Sequence, residues 1–191
     1  MKKVVVLSGS IRNGRISHYV AQTVVNSLEK NQSVDTVLLD LKEYPFPMLE
    51  DRITSFPGKL QYFIDTLESA DGIIIVTPEY KNSIPGPLKN LLDHLAPQQL
   101  KHIPMGIVTV VSGDLGGAFC LSQLRLVALA LGCIPISEKF CISKVNDIFD
   151  KSGNLLEATF PQKSDNFVEA MMWYVERLSI KSYEVANQLN D

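Results

Sequence analysis

The chain alternates short apolar runs with segments in which apolar residues recur every three or four positions. Such runs predict buried β-strands, and the periodic segments predict amphipathic helices. The predicted strands are residues 4–8, 34–39, 72–77, 105–111 and a fifth strand that begins at 133–136 and continues irregularly toward Cys141. Five segments have a helical apolar face. In chain order, these faces consist of Ile16, Val20, Val24 and Leu28; Leu60, Phe63, Ile64 and Leu67; Leu88, Leu91, Leu92 and Leu95; Phe119, Leu124, Val127, Ala128 and Leu131; and Phe167, Met171, Tyr174, Val175 and Leu178.

This alternation predicts an α/β fold built on a parallel sheet. The predicted strands are apolar on both faces, which is typical of a sheet that helices cover on both sides. Because crossovers are right-handed, five strands allow few topologies. We predict a flavodoxin-like, doubly wound sheet of five parallel strands in the order 2-1-3-4-5. In this order strands 1, 3 and 4 are neighbours, so the loops that follow them converge at one edge.

Length and composition favour a single globular domain that spans residues 1–191. The chain is 46% hydrophobic and 20% charged, which is ordinary for a globular protein. Its net charge is −3 and it has no long basic run, so we expect no nucleic-acid partner. No apolar stretch is long enough to cross a bilayer, and the first apolar run is too short for a secretory signal. We therefore expect a cytoplasmic protein without a membrane partner.

Neither the cysteines nor the histidines form a metal-binding motif. Cys120, Cys133 and Cys141 contain no Cys-x-x-Cys pair and lie among apolar neighbours, so we expect buried, inert thiols. The three histidines are widely separated and none has a neighbour at ligand spacing. The sequence therefore predicts no metal site.

The loop after the first predicted strand, residues 8–17, has the residue types of an anion-binding loop. Two glycines permit tight backbone, and the start of the next helix adds free N–H groups and the positive end of the helix dipole. The loop lacks Gly-x-Gly-x-x-Gly and Gly-Lys-Ser/Thr, which disfavours dinucleotide and nucleoside-triphosphate sites. A monophosphate fits, but a helix start with two solvated arginines explains the loop alone equally well. The candidate phosphate ligands are Ser10, Arg12, Arg15 and Ser17.

The loop after the third predicted strand, residues 78–90, combines an acid, an aromatic residue and an amide with prolines that start the next helix. Ligands of parallel sheets bind at such strand ends. Tyr80 and the loop backbone can pack beside a flat ring, and Glu79 and Tyr80 are candidate acid–base groups with no evident nucleophile. The alternative for this loop is a helix that Pro85 or Pro87 starts.

The loop after the fourth predicted strand, residues 111–118, contains three glycines. Glycine lets the backbone approach a ligand closely, so N–H groups here can bond the carbonyl oxygens of a ring. A flexible turn between strand and helix is the alternative for this loop alone. All three loops together, at one edge of the sheet, favour a mononucleotide with a flat head group.

The three loops resemble those of the NADPH-dependent FMN reductase family, which includes quinone, azo-dye and chromate reductases. The resemblance covers most of the chain. Its motifs are Gly9-Ser10-Ile11-Arg12 followed by Arg15 and Ser17; Pro78-Glu79-Tyr80, then Ser83-Ile84-Pro85-Gly86 and Leu88-Lys89-Asn90 to Asp93; and Ser112-Gly113 with Gly116-Gly117, followed by Gln123-Leu124-Arg125.

This resemblance implies a non-covalently bound FMN. Its phosphate would be bound by Ser10, Arg12 and Ser17, with Arg15 as a further candidate. Its ring would be surrounded by Pro78, Glu79, Tyr80, Lys81, Asn82, Ser112, Gly113 and Gly116.

The chain departs from the family at one position of the ring loop. Members usually carry Asn directly after Pro-Glu-Tyr, whereas here Lys81 stands there and Asn82 follows. Either Asn82 takes over the amide role, or the Lys81 cation raises the potential of the flavin. If Lys81 points to solvent, the second effect disappears.

The resemblance also implies an NAD(P)H-dependent oxidoreductase that is a homodimer or homotetramer. NADPH or NADH would reduce the FMN, and a quinone, free flavin, azo compound or metal oxyanion would then accept the electrons in a ping-pong scheme. Because the cofactor supplies the chemistry, we assign no catalytic side chain. The third predicted helix and the proline-containing loop at 43–57 are candidate interface parts. Two alternatives are a flavodoxin-type electron carrier and a flavin-binding regulatory protein, neither of which would turn over NAD(P)H.

Overall fold

The computed structural model describes residues 1–51, 55–96 and 98–178 of the chain. Its strands are β1 (Lys2–Ser8), β2 (Val34–Asp40), β3 (Gly72–Pro78), β4 (Pro104–Val110), β5 (Ile134–Pro135) and β6 (Phe140–Ile142). Its helices are α1 (Ser17–Glu29), α2 (Lys59–Glu68), α3 (Gly86–His94), α4 (Ala118–Ala130), α5 (Val145–Ile148) and α6 (Phe160–Arg177). The first four strands and the helices between them lie within two residues of their predicted positions.

The strands form one parallel sheet in the order β2-β1-β3-β4-β5, and β6 also pairs with β4. The predicted flavodoxin-like order is therefore confirmed. The register places Val4 of β1 beside Gly72 of β3, and Ile73 of β3 beside Met105 of β4. Because the three central strands run in the same direction, the loops that follow them leave from one edge of the sheet.

Helices cover both faces of the sheet, as the apolar strands predict. Alternate residues of β1 show why: Val5 and Leu7 pack with α2, α3 and α4, whereas Val4 and Val6 pack with α1 and α6. All four side chains are almost completely buried. Burying both faces of the central strands explains why their sequences are continuous apolar runs.

The fifth strand differs from its prediction. Instead of one irregular strand from 133 toward 141, two short strands pair with different parts of β4. The N–H groups on either side of Pro135, those of Ile134 and Ile136, donate to the carbonyls of Ile103 and Met105 at 2.9 and 3.0 Å. The carbonyl oxygens of Ile136, Ser137 and Glu138 then accept hydrogen bonds from Arg125 Nη2, at 2.8 to 3.2 Å. Because the guanidinium binds these carbonyls, the segment between β5 and β6 does not join the sheet.

Helix α4 also differs in one respect from the predicted helical face. Cys120, Leu121, Leu124 and Ala128 form its buried side, whereas Phe119 is 51% exposed. Phe119 therefore belongs to the predicted helix but lies outside its buried side. Among the described residues, no helix combines the length and the apolar character that crossing a membrane would require.

Candidate functional site

Three loops meet at the carboxyl edge of the sheet, after β1, β3 and β4. We call them the phosphate loop (9–16), the ring loop (79–85) and the glycine loop (111–117). The Ser10 hydroxyl of the phosphate loop lies 3.2 Å from the Tyr80 hydroxyl of the ring loop. The Glu79 N–H of the ring loop donates to the carbonyl of Val110, where the glycine loop begins, at 3.4 Å. The predicted convergence is thus observed as direct contact.

The phosphate loop presents buried hydroxyl groups and free backbone donors. Ser10 and Ser17 are 1% and 4% exposed, whereas Arg12 is exposed at the rim. Within the described part of the chain, the backbone N–H groups of residues 13–16 donate no hydrogen bond. These groups stand directly before α1, where the helix dipole favours an anion.

Arg15 faces inward from the same loop and is held by an acid. Its Nη2 atom donates to Asp40 Oδ2 at the end of β2, and the Arg15 side chain is only 10% exposed. His18 Nδ1 lies 3.6 Å from Asp40 Oδ2 and 3.2 Å from the Ser8 hydroxyl. Burial lowers the pKa of His18 although Asp40 opposes that shift, which favours the neutral imidazole.

One atom of Arg15 still lacks a partner. Its buried Nε has no hydrogen-bond acceptor among the described residues. A buried donor without an acceptor is unfavourable, and an anion at this loop would relieve that cost. Arg15 therefore keeps one unpaired donor while Asp40 neutralises its charge.

The ring loop contains a two-residue β-hairpin turn. Tyr80 and Ser83 exchange both backbone hydrogen bonds, each at 3.0 Å. The two residues between them, Lys81 and Asn82, have φ values of 52° and 61°. Positive φ at both central positions defines a type I′ turn, for which Asn-Gly is the preferred pair. Lys81 is exposed and forms no ion pair within the described residues.

The turn predicts that Lys81→Asn will stabilise the protein. Lysine in a left-handed conformation is unfavourable by about 1 kcal/mol, whereas asparagine tolerates it. We expect the free energy of unfolding to rise by about 0.5 to 1 kcal/mol in chemical denaturation. Lys151→Asn is the matched control, because Lys151 is also an exposed turn residue but does not have positive φ. Equal effects of the two substitutions would refute the strain at Lys81.

The effect of Lys81 on the flavin potential stays a prediction.

Glu79 has a structural partner rather than a nucleophile. Its Oε2 accepts a hydrogen bond of 2.8 Å from the backbone N–H of Cys120, in the first turn of α4. The carboxylate therefore satisfies one of the N–H groups that a helix start leaves free. Cys120 itself is buried, and burial raises the pKa of its thiol to about 12.

The glycine loop has an exposed half and a buried half. Ser112 and Gly113 are exposed, whereas Gly116 and Gly117 are buried at the start of α4. The Thr109 hydroxyl donates to the carbonyl of Gly116 at 2.7 Å and fixes the buried half to β4. Ser112 and Gly113 therefore form the solvent-accessible half of this loop.

Gly117 is required where α4 begins. Its φ is 79°, and a Cβ added there would lie 2.7 Å from the Cβ of buried Thr109. Gly117→Ala combines left-handed strain with overpacking, so we expect the free energy of unfolding to fall by about 3 kcal/mol. Gly113→Ala is the control, because its added Cβ has no heavy atom within 4 Å and should change stability by less than about 0.5 kcal/mol. Similar losses in the two variants would contradict this role.

Comparison with known proteins supports the family resemblance that the three loops suggest. A family model for NADPH-dependent FMN reductase matches residues 2–147. The chain belongs to the NADPH-dependent FMN reductase family. Predicted membership, the oxidoreductase class and the use of FMN with NAD(P)H are therefore confirmed. Family membership also favours the enzyme over the two alternatives without NAD(P)H turnover.

Individual relatives match over nearly the whole chain. The quinone reductase of Escherichia coli K12 is 28% identical over 185 residues, which are 93% of this chain and 97% of the relative. An NAD(P)H-dependent FMN reductase of Pseudomonas aeruginosa is 27% identical over 180 residues, or 92% and 96%. A flavoenzyme NAD(P)H:(acceptor) oxidoreductase from Paracoccus denitrificans superposes with a TM-score of 0.80, 22% identity and coverage of 94% and 100%, and shows that the fold is shared.

The sequence did not predict two further features of this reductase, or predicted them only in part. Asp40 was not identified as part of the site, although its place at the end of β2 puts it beside the phosphate loop. The prediction of buried thiols is confirmed for Cys120 and Cys133, but Cys141 is only half-buried. Burial raises the pKa of Cys133 to about 12 as well. Among the described residues, no cluster of three or more His, Cys, Asp or Glu side chains is arranged to hold a metal.

Proposed function

We propose that this reductase binds FMN non-covalently at the three loops and transfers electrons from NAD(P)H to a small acceptor in two separate half-reactions. The observation that carries the proposal is the convergence of buried hydroxyl groups, free N–H groups and an aromatic rim at one edge of the sheet. When bound, FMN would supply the hydride and electron chemistry. The side chains orient the two substrates, bind the phosphate and stabilise charge.

The phosphate loop would hold the FMN phosphate. Ser10 and Ser17 offer hydroxyl donors, Arg12 offers a charged fork, and Arg15 offers its unpaired Nε. Charge-assisted hydrogen bonds of this kind are stronger than neutral ones. The buried donor without an acceptor supports the assignment, because a phosphate oxygen would satisfy it.

The ring loop and the glycine loop would border the flavin ring. Their proposed contact residues are Pro78, Glu79, Tyr80, Lys81, Asn82, Ser112, Gly113 and Gly116. Glu79 would affect the ring indirectly, through α4, because its carboxylate already accepts a hydrogen bond from the Cys120 N–H. Gly116 would shape the loop through its backbone conformation, because it is buried and its carbonyl accepts a hydrogen bond from the Thr109 hydroxyl. The exposed groups, Tyr80 to Asn82 and Ser112 to Gly113, would contact the ring or the substrates directly.

For the acceptor we propose a quinone, with free flavins, azo compounds and metal oxyanions as alternatives. The site edge is open, because Lys81, Asn82, Ser112 and Gly113 are all exposed. An open edge admits a flat acceptor in the place that the nicotinamide leaves. The name of the Escherichia coli relative supports the choice of a quinone.

We also propose a homodimer or homotetramer. Helix α4 exposes three large apolar side chains: Phe119, Leu126 and Leu129 are 51%, 68% and 60% exposed. A second copy of this chain would remove them from water. Their position supports α4 as an interface helix, in addition to the third helix and the loop at 43–57 that the sequence suggested, of which residues 52–54 lie outside the described part of the chain. Light scattering of the purified protein measures the assembly directly.

Two further proposals concern the domain organisation and the location of the protein. We propose that residues 1–191 act as one FMN-binding domain, which the single sheet of the described residues supports. We further propose a cytoplasmic location. The three cysteines, all within the described residues and none in a disulfide, fit a reducing compartment.

Turnover tests the proposed function. The purified chain, supplied with FMN, should consume NADPH continuously when a quinone is present and should slow when the quinone is withheld. Initial rates at several quinone concentrations should give parallel double-reciprocal lines, which are the signature of two half-reactions. NADPH oxidation that no acceptor accelerates would refute the proposal and favour a flavin-binding protein without its own turnover.

A further inference from the structure

Gln123 of α4 reaches across to the ring loop with both ends of its amide. Its Oε1 accepts a hydrogen bond of 2.7 Å from the Ser83 hydroxyl, and its Nε2 donates one of 2.9 Å to the carbonyl of Asn82. Both partners belong to the hairpin turn, 40 and 41 residues earlier in the chain. One side chain therefore fixes two consecutive residues of the turn.

The same helix binds the other end of the loop. Cys120, whose backbone N–H donates to the carboxylate of Glu79, lies three residues before Gln123. Residues three apart lie on the same side of a helix. The loop is thus attached to α4 at Glu79 and again at Asn82 and Ser83, on either side of Tyr80.

The hairpin needs support from outside itself. Both central residues of its turn have positive φ and neither is glycine. An isolated two-stranded hairpin is at best marginally stable in water, and this one consists of a single pair of residues. The Lys81 and Asn82 side chains are exposed, so packing supplies little. The two bonds from Gln123 are contacts that hold the turn in place.

We propose that Gln123 is a positioning residue for the flavin site: it holds the 80–83 hairpin in the conformation that borders the ring and so sets the affinity for FMN. This inference rests on the proposed function, because it assigns the ring to this loop. Gln123 itself acts through Asn82 and Ser83 and has no role in the chemistry.

Gln123→Met is the variant that tests the inference. Methionine is similar in length, favours the helix and forms neither bond. Since two neutral hydrogen bonds are lost, we expect FMN affinity to fall about tenfold and exchange of the hydrogen-bonded amides of Tyr80 and Ser83 to become about tenfold faster. Ser83→Ala removes one of the bonds and should have a smaller effect, and in the Gln123→Met background it should add little. Gln22→Met on α1, an exposed glutamine changed in the same way, is the control.

The measurements are made on the full chain, with FMN binding followed by the visible spectrum and exchange followed in the flavin-free and FMN-loaded protein. Weaker FMN binding together with faster exchange confined to the hairpin supports the inference. Unchanged FMN affinity in Gln123→Met, with or without faster exchange, overturns it. A wild-type chain that takes up no FMN overturns the proposed function, and this outcome is distinguishable because it appears before any variant is made.

Discussion

Asp40→Ala is expected to lower the free energy of unfolding by about 3 kcal/mol. The substitution leaves the Arg15 guanidinium, which is only 10% exposed, without its anionic partner. Removing one partner of a buried ion pair typically costs about 3 to 5 kcal/mol, since the remaining charge stays desolvated. The variant also loses the hydrogen bond of 3.1 Å from the Lys42 N–H to Asp40 Oδ1. Urea denaturation followed by circular dichroism measures the change.

Asp35→Ala provides the matched control for this prediction. Asp35 lies on the same strand and is exposed, so its loss should change stability by less than about 0.5 kcal/mol. Asp40→Ala, unlike the control, should also bind FMN more weakly, because the Arg15 guanidinium would lose the carboxylate that holds it in place. A stability loss in Asp40→Ala no larger than that in Asp35→Ala would refute the partly buried Arg15–Asp40 pair as a support of the site.

Arg12→Ala is expected to weaken FMN binding about ten- to a hundredfold. A charge-assisted hydrogen bond contributes about 1.5 to 3 kcal/mol, which corresponds to that range of affinity. Because Arg12 is exposed, its loss should leave stability nearly unchanged. Titration of the flavin-free protein with FMN, followed by quenching of flavin fluorescence, measures the affinity.

The control for Arg12 is Arg177→Ala on α6. Arg177 is also exposed, and its guanidinium stacks on Trp173 with 4.4 Å from Cζ to the ring centroid. Its removal should leave FMN affinity unchanged. If Arg12→Ala binds FMN as tightly as the wild type, Arg12 is not a phosphate ligand, and Arg15 with the free N–H groups of the loop would have to bind the phosphate.

The central sheet was predictable from sequence because burial on both faces leaves a clear pattern. The runs around Val4–Val6 and Ile73–Val76 are apolar at every position, and all of these residues are almost completely buried. The fifth strand was not predictable in the same way. Its course depends on Arg125, which binds three carbonyls of the following segment. This is a contact between side chain and backbone that the sequence pattern does not record.

The position of the site was predictable from sequence, whereas several of its side-chain contacts were not. Strand order alone implied that the three loops meet, and the bonds from Ser10 to Tyr80 and from Glu79 to Val110 are where they do. The pairing of Arg15 with Asp40 was not predictable, because the two residues are 25 positions apart and either could have faced solvent. The bonds from Gln123 to the ring loop span an even longer separation. Sequence thus identifies candidate ligands, whereas the fold decides which of them are already engaged by protein groups.

The visible absorption spectrum of the purified chain with FMN, before and after anaerobic addition of NADPH, tests the central claim most directly. We predict that flavin absorbance stays with the protein after gel filtration and that NADPH bleaches it. Restoration of the colour by a quinone would complete the cycle. A colourless protein that does not take up added FMN would contradict the assignment of the three loops as a flavin site.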